Sequence, residues 1–183
     1  MQTQIADVLV IEPKVLGEES GWFMEVFNAQ ELSTALGSNV KFVQDNQSFS
    51  KQWTLRGMHY QTEHPQGKLV LAVQGSVFDV VVDVRKNSAT YGQWVGVELS
   101  AENHKQMWIP PGLAHGFLVL SSSAEILYKT TAYYHPQSEV CLAWDDLRVG
   151  INWPLPDGIK PIMSAKDERG LLLNQLAGAS IKE

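Results

Sequence analysis

The run VFDVVVDVR, Val77 to Arg85, alternates with a period of two. Phe78, Val80, Val82 and Val84 fall on one side of an extended chain, and Val77, Asp79, Val81, Asp83 and Arg85 on the other. That pattern predicts a β-strand. One face is wholly apolar and the other sets acids among valines, which suits a barrel or sandwich whose second face lines something wet.

The same reading extends along most of the chain. WVGVELS (Trp94 to Ser100), MWIPPG (Met107 to Gly112), HGFLVLS (His115 to Ser121) and EILYKTTAYY (Glu125 to Tyr134) recur at the spacing of an all-β sandwich. Gln74-Gly75-Ser76 reads as a turn, and Asp7 to Val15 as an edge strand holding Pro13. The segment Asn28 to Gly37 predicts a helix, with Asn28 as cap, Glu31 completing a capping box and Gly37 as stop. From about residue 150 onward proline, glycine and aspartate predict loop and 3₁₀ turns, with one short helix over ERGLLLNQLA. The expected architecture is all-β: one jelly-roll sandwich or barrel spanning residues 1–183, with short flanking helices and a helical or looped tail over 150–183.

Composition removes several functions. The formal net charge of -6 opposes non-specific nucleic-acid binding, which needs a basic field, but leaves room for a locally positive pocket. A single cysteine, Cys141, allows no intrachain disulfide and no thiolate metal cluster. The N-terminus has neither the basic nor the long apolar region of a signal peptide, and no apolar run is of membrane-spanning length. A soluble, cytoplasmic protein is the expectation.

Two local signals carry chemistry. In IPPGLAHGF, Pro110, Gly112 and His115 match the P-x-G-x-x-H turn of the cupin superfamily, in which a histidine enters the barrel mouth from the start of a strand. His115 could equally be a hydrogen-bonded core histidine. Metal-binding cupins add two histidines one residue apart, but here the corresponding stretch is His59-Tyr60-Gln61. Without a clear carboxylate ligand the pair His59 and His115 makes a poor cage, so no metal is expected. In LRGMHYQTEHPQGK, His59 and Lys68 read either as a core imidazole and a surface ammonium or as a base and an electrophilic partner facing one pocket.

RGMHYQ, QGKLVLAVQGSVFDVVVDVR, TYGQW, LSAEN, WIPPGLAHGF, YKTTAYYHPQSE, WDD and SAKD occur in one collinear series from about Asp7 to Asp167. The series closely resembles the dTDP-4-dehydrorhamnose 3,5-epimerase family. That resemblance implies a cofactor-independent isomerase acting on dTDP-4-dehydro-6-deoxy-D-glucose in dTDP-L-rhamnose biosynthesis. Protons would leave C3 and C5, which flank the C4 ketone, and return on the opposite faces. Such a proton is about a dozen pK units less acidic than imidazolium, so direct transfer starts about 16 kcal/mol uphill. A base alone therefore fails, and the site must also stabilise an enolate oxygen and offer an acid on the far face.

The resemblance assigns these roles. His59 would be the base and Lys68 the partner of the C4 oxygen, with Tyr128 as the opposite-face acid. The residues alone leave the carboxylate behind His59 open among Asp79, Asp83 and Asp167; the resemblance selects Asp167. Tyr134 would stack on the thymine, and Arg56 would meet phosphate or sugar. Gln44, Asn46, Glu25, Glu139, His115 and Lys166 would complete the binding set. One departure stands out: Ser20 occupies the place, before Gly21, where the family usually carries an arginine that helps to hold the nucleotide. The resemblance further implies a homodimer with exchanged N-terminal strands. The rival readings are an epimerase acting at C3 or C5 only, a non-catalytic sugar-binding cupin, and a metal-dependent cupin oxygenase or isomerase.

Overall fold

In the computed structural model, which describes residues 1–178, the alternating segments are strands and consecutive strands mostly change sheets. β1 (Leu9–Ile11), β4 (Gln44–Lys51), β6 (Lys68–Gln74), β9 (Gln106–Ile109) and β11 (Ser123–Thr130) form one five-stranded sheet. Their order across it is β1-β9-β6-β11-β4. β5 (Leu55–Gln61), β7 (Ser76–Asp83), β8 (Trp94–Ser100), β10 (Leu113–Val119) and β12 (Glu139–Cys141) form the second. There the order is β12-β5-β10-β7-β8. Pairing within both sheets is antiparallel, the jelly-roll arrangement expected of the sequence.

β7 divides the core as its alternation predicts. Val77 and Val81 point between the sheets and pack with Val70, Met107, Ile109, Phe117 and Ile126. Val80 and Val82 point the other way, into a second apolar layer with Met58, Tyr60, Leu142, Leu173 and Trp153. The C-terminal segment therefore roofs the second sheet, and both faces of β7 are dry. The acids on the inward face are not solvated either. Asp79 and Asp83 are both fully buried, and each is neutralised by specific partners. Asp83 accepts bonds from Arg85, Ser88 and Thr90, a structural cluster outside the cavity. Asp79 belongs to the site.

Two sequence expectations change in detail. The predicted strand Asp7 to Val15 is two strands, β1 and β2 (Val15–Glu18), with Pro13 between them. Proline cannot donate to a ladder, so the chain leaves the sheet there. β2 then pairs with β3 (Gly21–Met24) as a separate hairpin. ERGLLLNQLA is not one helix but two 3₁₀ turns, Asp167–Arg169 and Leu173–Gly178, because Leu171 pairs with Leu142 between them. Residues 179–183 of the predicted tail lie outside the described residues. The early helix agrees closely: α1 (Ala29–Leu36) is capped by the Asn28 side chain, which accepts from the amides of Gln30 and Glu31. It ends at Gly37, whose left-handed conformation (φ 65°) closes the last turn.

Candidate active site

One end of the space between the sheets is a cavity of about 360 Å³. The strand period explains how it is furnished. Gln44, Asn46 and Ser48 share one face of β4 and all reach the wall. On β6, Lys68 continues the inward row of Val70 and Ala72, so its ammonium must sit at the end of the apolar core. On β11, Tyr128 continues the row of Ala124 and Ile126 in the same way. His115 lies directly opposite His59 in the register of β10 and β5.

β5 departs from strict alternation, and the departure matters. Arg56 and His59 are three residues apart yet both line the cavity, whereas Met58 and Tyr60 face the second apolar layer. Between them stands Gly57, with φ of 117°, a conformation open to glycine and strained for other residues. It lies against Gly116, where the pairing of β5 with β10 shifts register. The glycine pair thus resets the strand so that a cation and an imidazole enter one cavity.

His59 is held by carboxylates. Its Nε2 lies 2.6 Å from Oδ1 of Asp167, and its Nδ1 lies 3.9 Å from Oε1 of Glu139. Burial would raise the Asp167 carboxyl, but the bond to His59, its charge and the Ser164 hydroxyl bring it below the usual carboxylate range. The ionised carboxylate accepts, so Nε2 carries the ring hydrogen and Nδ1 keeps the basic lone pair. Glu139 is likewise held low against its burial, chiefly by Lys166, whose Nζ donates to Oε2 at 2.6 Å. The Tyr134 hydroxyl donates to the same oxygen at 3.0 Å.

Lys68 is no surface lysine: it is 9% exposed. Burial lowers its ammonium to about 8, against the upward pull of the Asp79 and Glu139 carboxylates. His115 is also buried, and burial lowers it despite its contacts of 2.9 and 3.0 Å with the two oxygens of Asp79. It is therefore both of the things the sequence left open, a hydrogen-bonded core histidine and part of the cavity wall. Burial raises the Tyr128 phenol, which stays protonated at neutral pH. Arg56, braced by its Nε–H bond to Ser50, brings the cations lining the cavity to three (Arg56, Lys68 and Lys166) in an acidic protein.

Every predicted site residue but one is therefore at this cavity. Glu25 stands elsewhere, accepting a bond from Asn28 beside α1 in a cleft beneath the hairpin. Sequence reasoning missed Asp79 as the partner of His115, although its inward place on β7 was legible. It also missed Gln66, Ser48 and Ser164. The Ser48 hydroxyl is buried without a hydrogen-bond partner. Its spacing of two from Gln44 and Asn46 was the available signal.

Residues 2–175 match the family model described as dTDP-4-dehydrorhamnose 3,5-epimerase. The dTDP-4-dehydrorhamnose 3,5-epimerase of Salmonella typhimurium is 54% identical over 96% of this chain and 95% of its own. A dTDP-6-deoxy-D-glucose-3,5-epimerase from Legionella pneumophila, solved in complex with dTDP-4-keto-L-rhamnose, superposes with a TM-score of 0.95 at 48% identity. That match covers 100% of this chain and 97% of the other. A 3'-monoepimerase from Streptomyces bikiniensis superposes at 0.89 with 33% identity, covering 96% of this chain and 88% of its own.

Proposed function

This chain belongs to the dTDP-4-dehydrorhamnose 3,5-epimerase family, and from that premise we propose how its cavity performs the reaction. The enzyme inverts C3 and C5 of dTDP-4-dehydro-6-deoxy-D-glucose to give dTDP-4-dehydro-L-rhamnose. The observation that carries the reading is that His59, backed by Asp167, and the buried Lys68 open into the same cavity.

Nδ1 of His59 removes the proton next to the ketone, and the resulting imidazolium is stabilised by Asp167 across the 2.6 Å bond. As the C–H bond breaks, charge moves to the C4 oxygen, which Lys68 meets as an ammonium fixed before reaction begins. In a dry site that preorganised charge offsets several kcal/mol of the initial cost of about 16 kcal/mol. Tyr128, protonated and on a different sheet from His59, returns a proton to the opposite face. Arg56 and Lys166 meet the diphosphate, Gln44 and Asn46 the nucleoside, and Tyr134 the thymine ring. The chemistry draws only on these side chains, which supply base, electrophile and acid without a cofactor.

Two further parts belong to the same proposal. Residues 1–183 act as one domain, since the C-terminal loop delivers Lys166 and Asp167 to a cavity otherwise built by strands. The enzyme works as a cytoplasmic homodimer, with the β2–β3 hairpin reaching the partner; the exposed Leu16, Trp22 and Phe23 of that hairpin support it. Among the described residues no helix is long and apolar enough to cross a membrane.

Incubation with substrate in heavy water tests the activity. Deuterium should enter C3 and C5, and His59→Ala should abolish both exchanges. Label at one carbon alone would make this a mono-epimerase like the Streptomyces bikiniensis neighbour, and no label at all would leave only a sugar-binding protein.

A further inference from the structure

Beyond the reaction, the structure places a metal-ligating thiol beside its base. Cys141 lies opposite His59 in the register of β12 and β5. Ligand atoms of His59, Cys141 and Asp167 all fall within 4.8 Å of one another. Cys141 has no assigned part in the epimerisation and does not line the substrate cavity. We propose that these three side chains form an inhibitory site for a thiophilic divalent cation of the zinc class, and that its occupation disables His59 as a base.

The donor set selects the ion. Nitrogen, sulfur and one carboxylate oxygen suit zinc or cobalt, whereas magnesium and calcium prefer all-oxygen cages. Three protein ligands with one open position are the usual composition of an accessible zinc site. Tetrahedral ligands about 2.0–2.3 Å from the ion stand roughly 3.5 Å apart, so the donors must shift by about 1 Å. The contact of 2.6 Å between His59 and Asp167 would open as the ion enters.

Binding exchanges the S–H bond for an S–metal bond and releases one proton to water, leaving thiolate and carboxylate balanced against two positive charges. The histidine consequence follows whichever nitrogen ligates. A metal on Nδ1 occupies the basic lone pair directly. A metal on Nε2 displaces that hydrogen to Nδ1, which then becomes a donor and can accept nothing.

Inhibition rests on His59 being the base, but metal binding does not, and the two are read separately. Titration of the purified protein with Co²⁺ should produce a thiolate-to-cobalt charge-transfer absorption that saturates at one ion per protomer. Cys141→Ser and Cys141→Ala should both lack it while keeping the epimerase activity of the unsubstituted chain. Zn²⁺ should inhibit turnover reversibly by chelator, and losing the sulfur ligand should weaken that inhibition by about tenfold or more. Mg²⁺ should do neither. Absence of the absorption in the unsubstituted chain, or equal Zn²⁺ inhibition of chain and variants, overturns the site. Absorption without inhibition would keep the metal site and instead remove His59 from the role of base.

Discussion

Lys68 is the residue on which the chemistry turns, because its value depends on charge in a place that disfavours charge. The inward row of β6 puts it at the end of the core, and burial lowers its ammonium to about 8. The protonated form is the one that stabilises an enolate oxygen, so turnover should fall as pH rises through about 8. Lys68→Met keeps length and apolar stem while removing the charge. It should lower kcat by about 100- to 1,000-fold, the range measured for single oxyanion donors, and should abolish the alkaline decline. Steady-state rates across pH for both proteins check this; an unchanged alkaline limb in the variant would assign it to another group. Side-chain roles of this kind were only partly legible. His59 and Lys68 stood out in their motif, but a carboxylate 108 positions beyond His59 could not be told from Asp79 or Asp83 without the family resemblance. Period and composition fix a side chain's face, not its partner across the fold.

At the scale of elements, the same period was readable for a physical reason: β7 packs against two different layers, and alternate residues record both, although neither face is the wet one its acids suggested. Turns and caps were readable because Gln74-Gly75-Ser76 and Asn28 to Gly37 use residues with few other conformational uses. The irregular part of β5 was not. Nothing in RGMHYQ signals that Arg56 and His59 share a face, since the reset depends on two glycines meeting from different strands. A Cβ at Gly116 would stand 2.5 Å from the Arg56 carbonyl oxygen and 2.6 Å from the Met58 sulfur. The backbone atom cannot yield as a side chain can. Gly116→Ala should therefore cost about 1–3 kcal/mol of stability, as overpacking does. It should also depress kcat, because relief of the clash moves β5 and with it His59. Denaturant melts and kinetics on one preparation would separate these effects, and a stable, fully active variant would remove the glycine pair from the argument.

The whole molecule raises the question of Glu25. The binding set implied by resemblance includes it, yet in its own protomer it lies beneath the hairpin and away from the cavity. The hairpin itself joins neither large sheet and exposes Trp22 and Phe23 at 59% and 65%. Large apolar side chains on a free ribbon are costly in water and mark a contact surface. In the proposed homodimer both facts would be met at once, the hairpin docking on a second copy and carrying Glu25 to that copy's cavity. Ser20 and the neighbouring Glu18 and Glu19 would travel with it, so each nucleotide would meet two acids where an arginine is usual, and the cations of its own cavity would have to hold the diphosphate. Subunit mixing decides the matter. His59→Ala and Glu25→Ala homodimers should each be impaired, one in its own cavity and the other in its partner's. After exchange of subunits, each hybrid dimer regains one site with both residues intact, so an equal mixture should recover about a quarter of the unsubstituted activity. If Glu25 served its own protomer, exchange would instead leave the Glu25→Ala protomers at their starting rate and restore nothing.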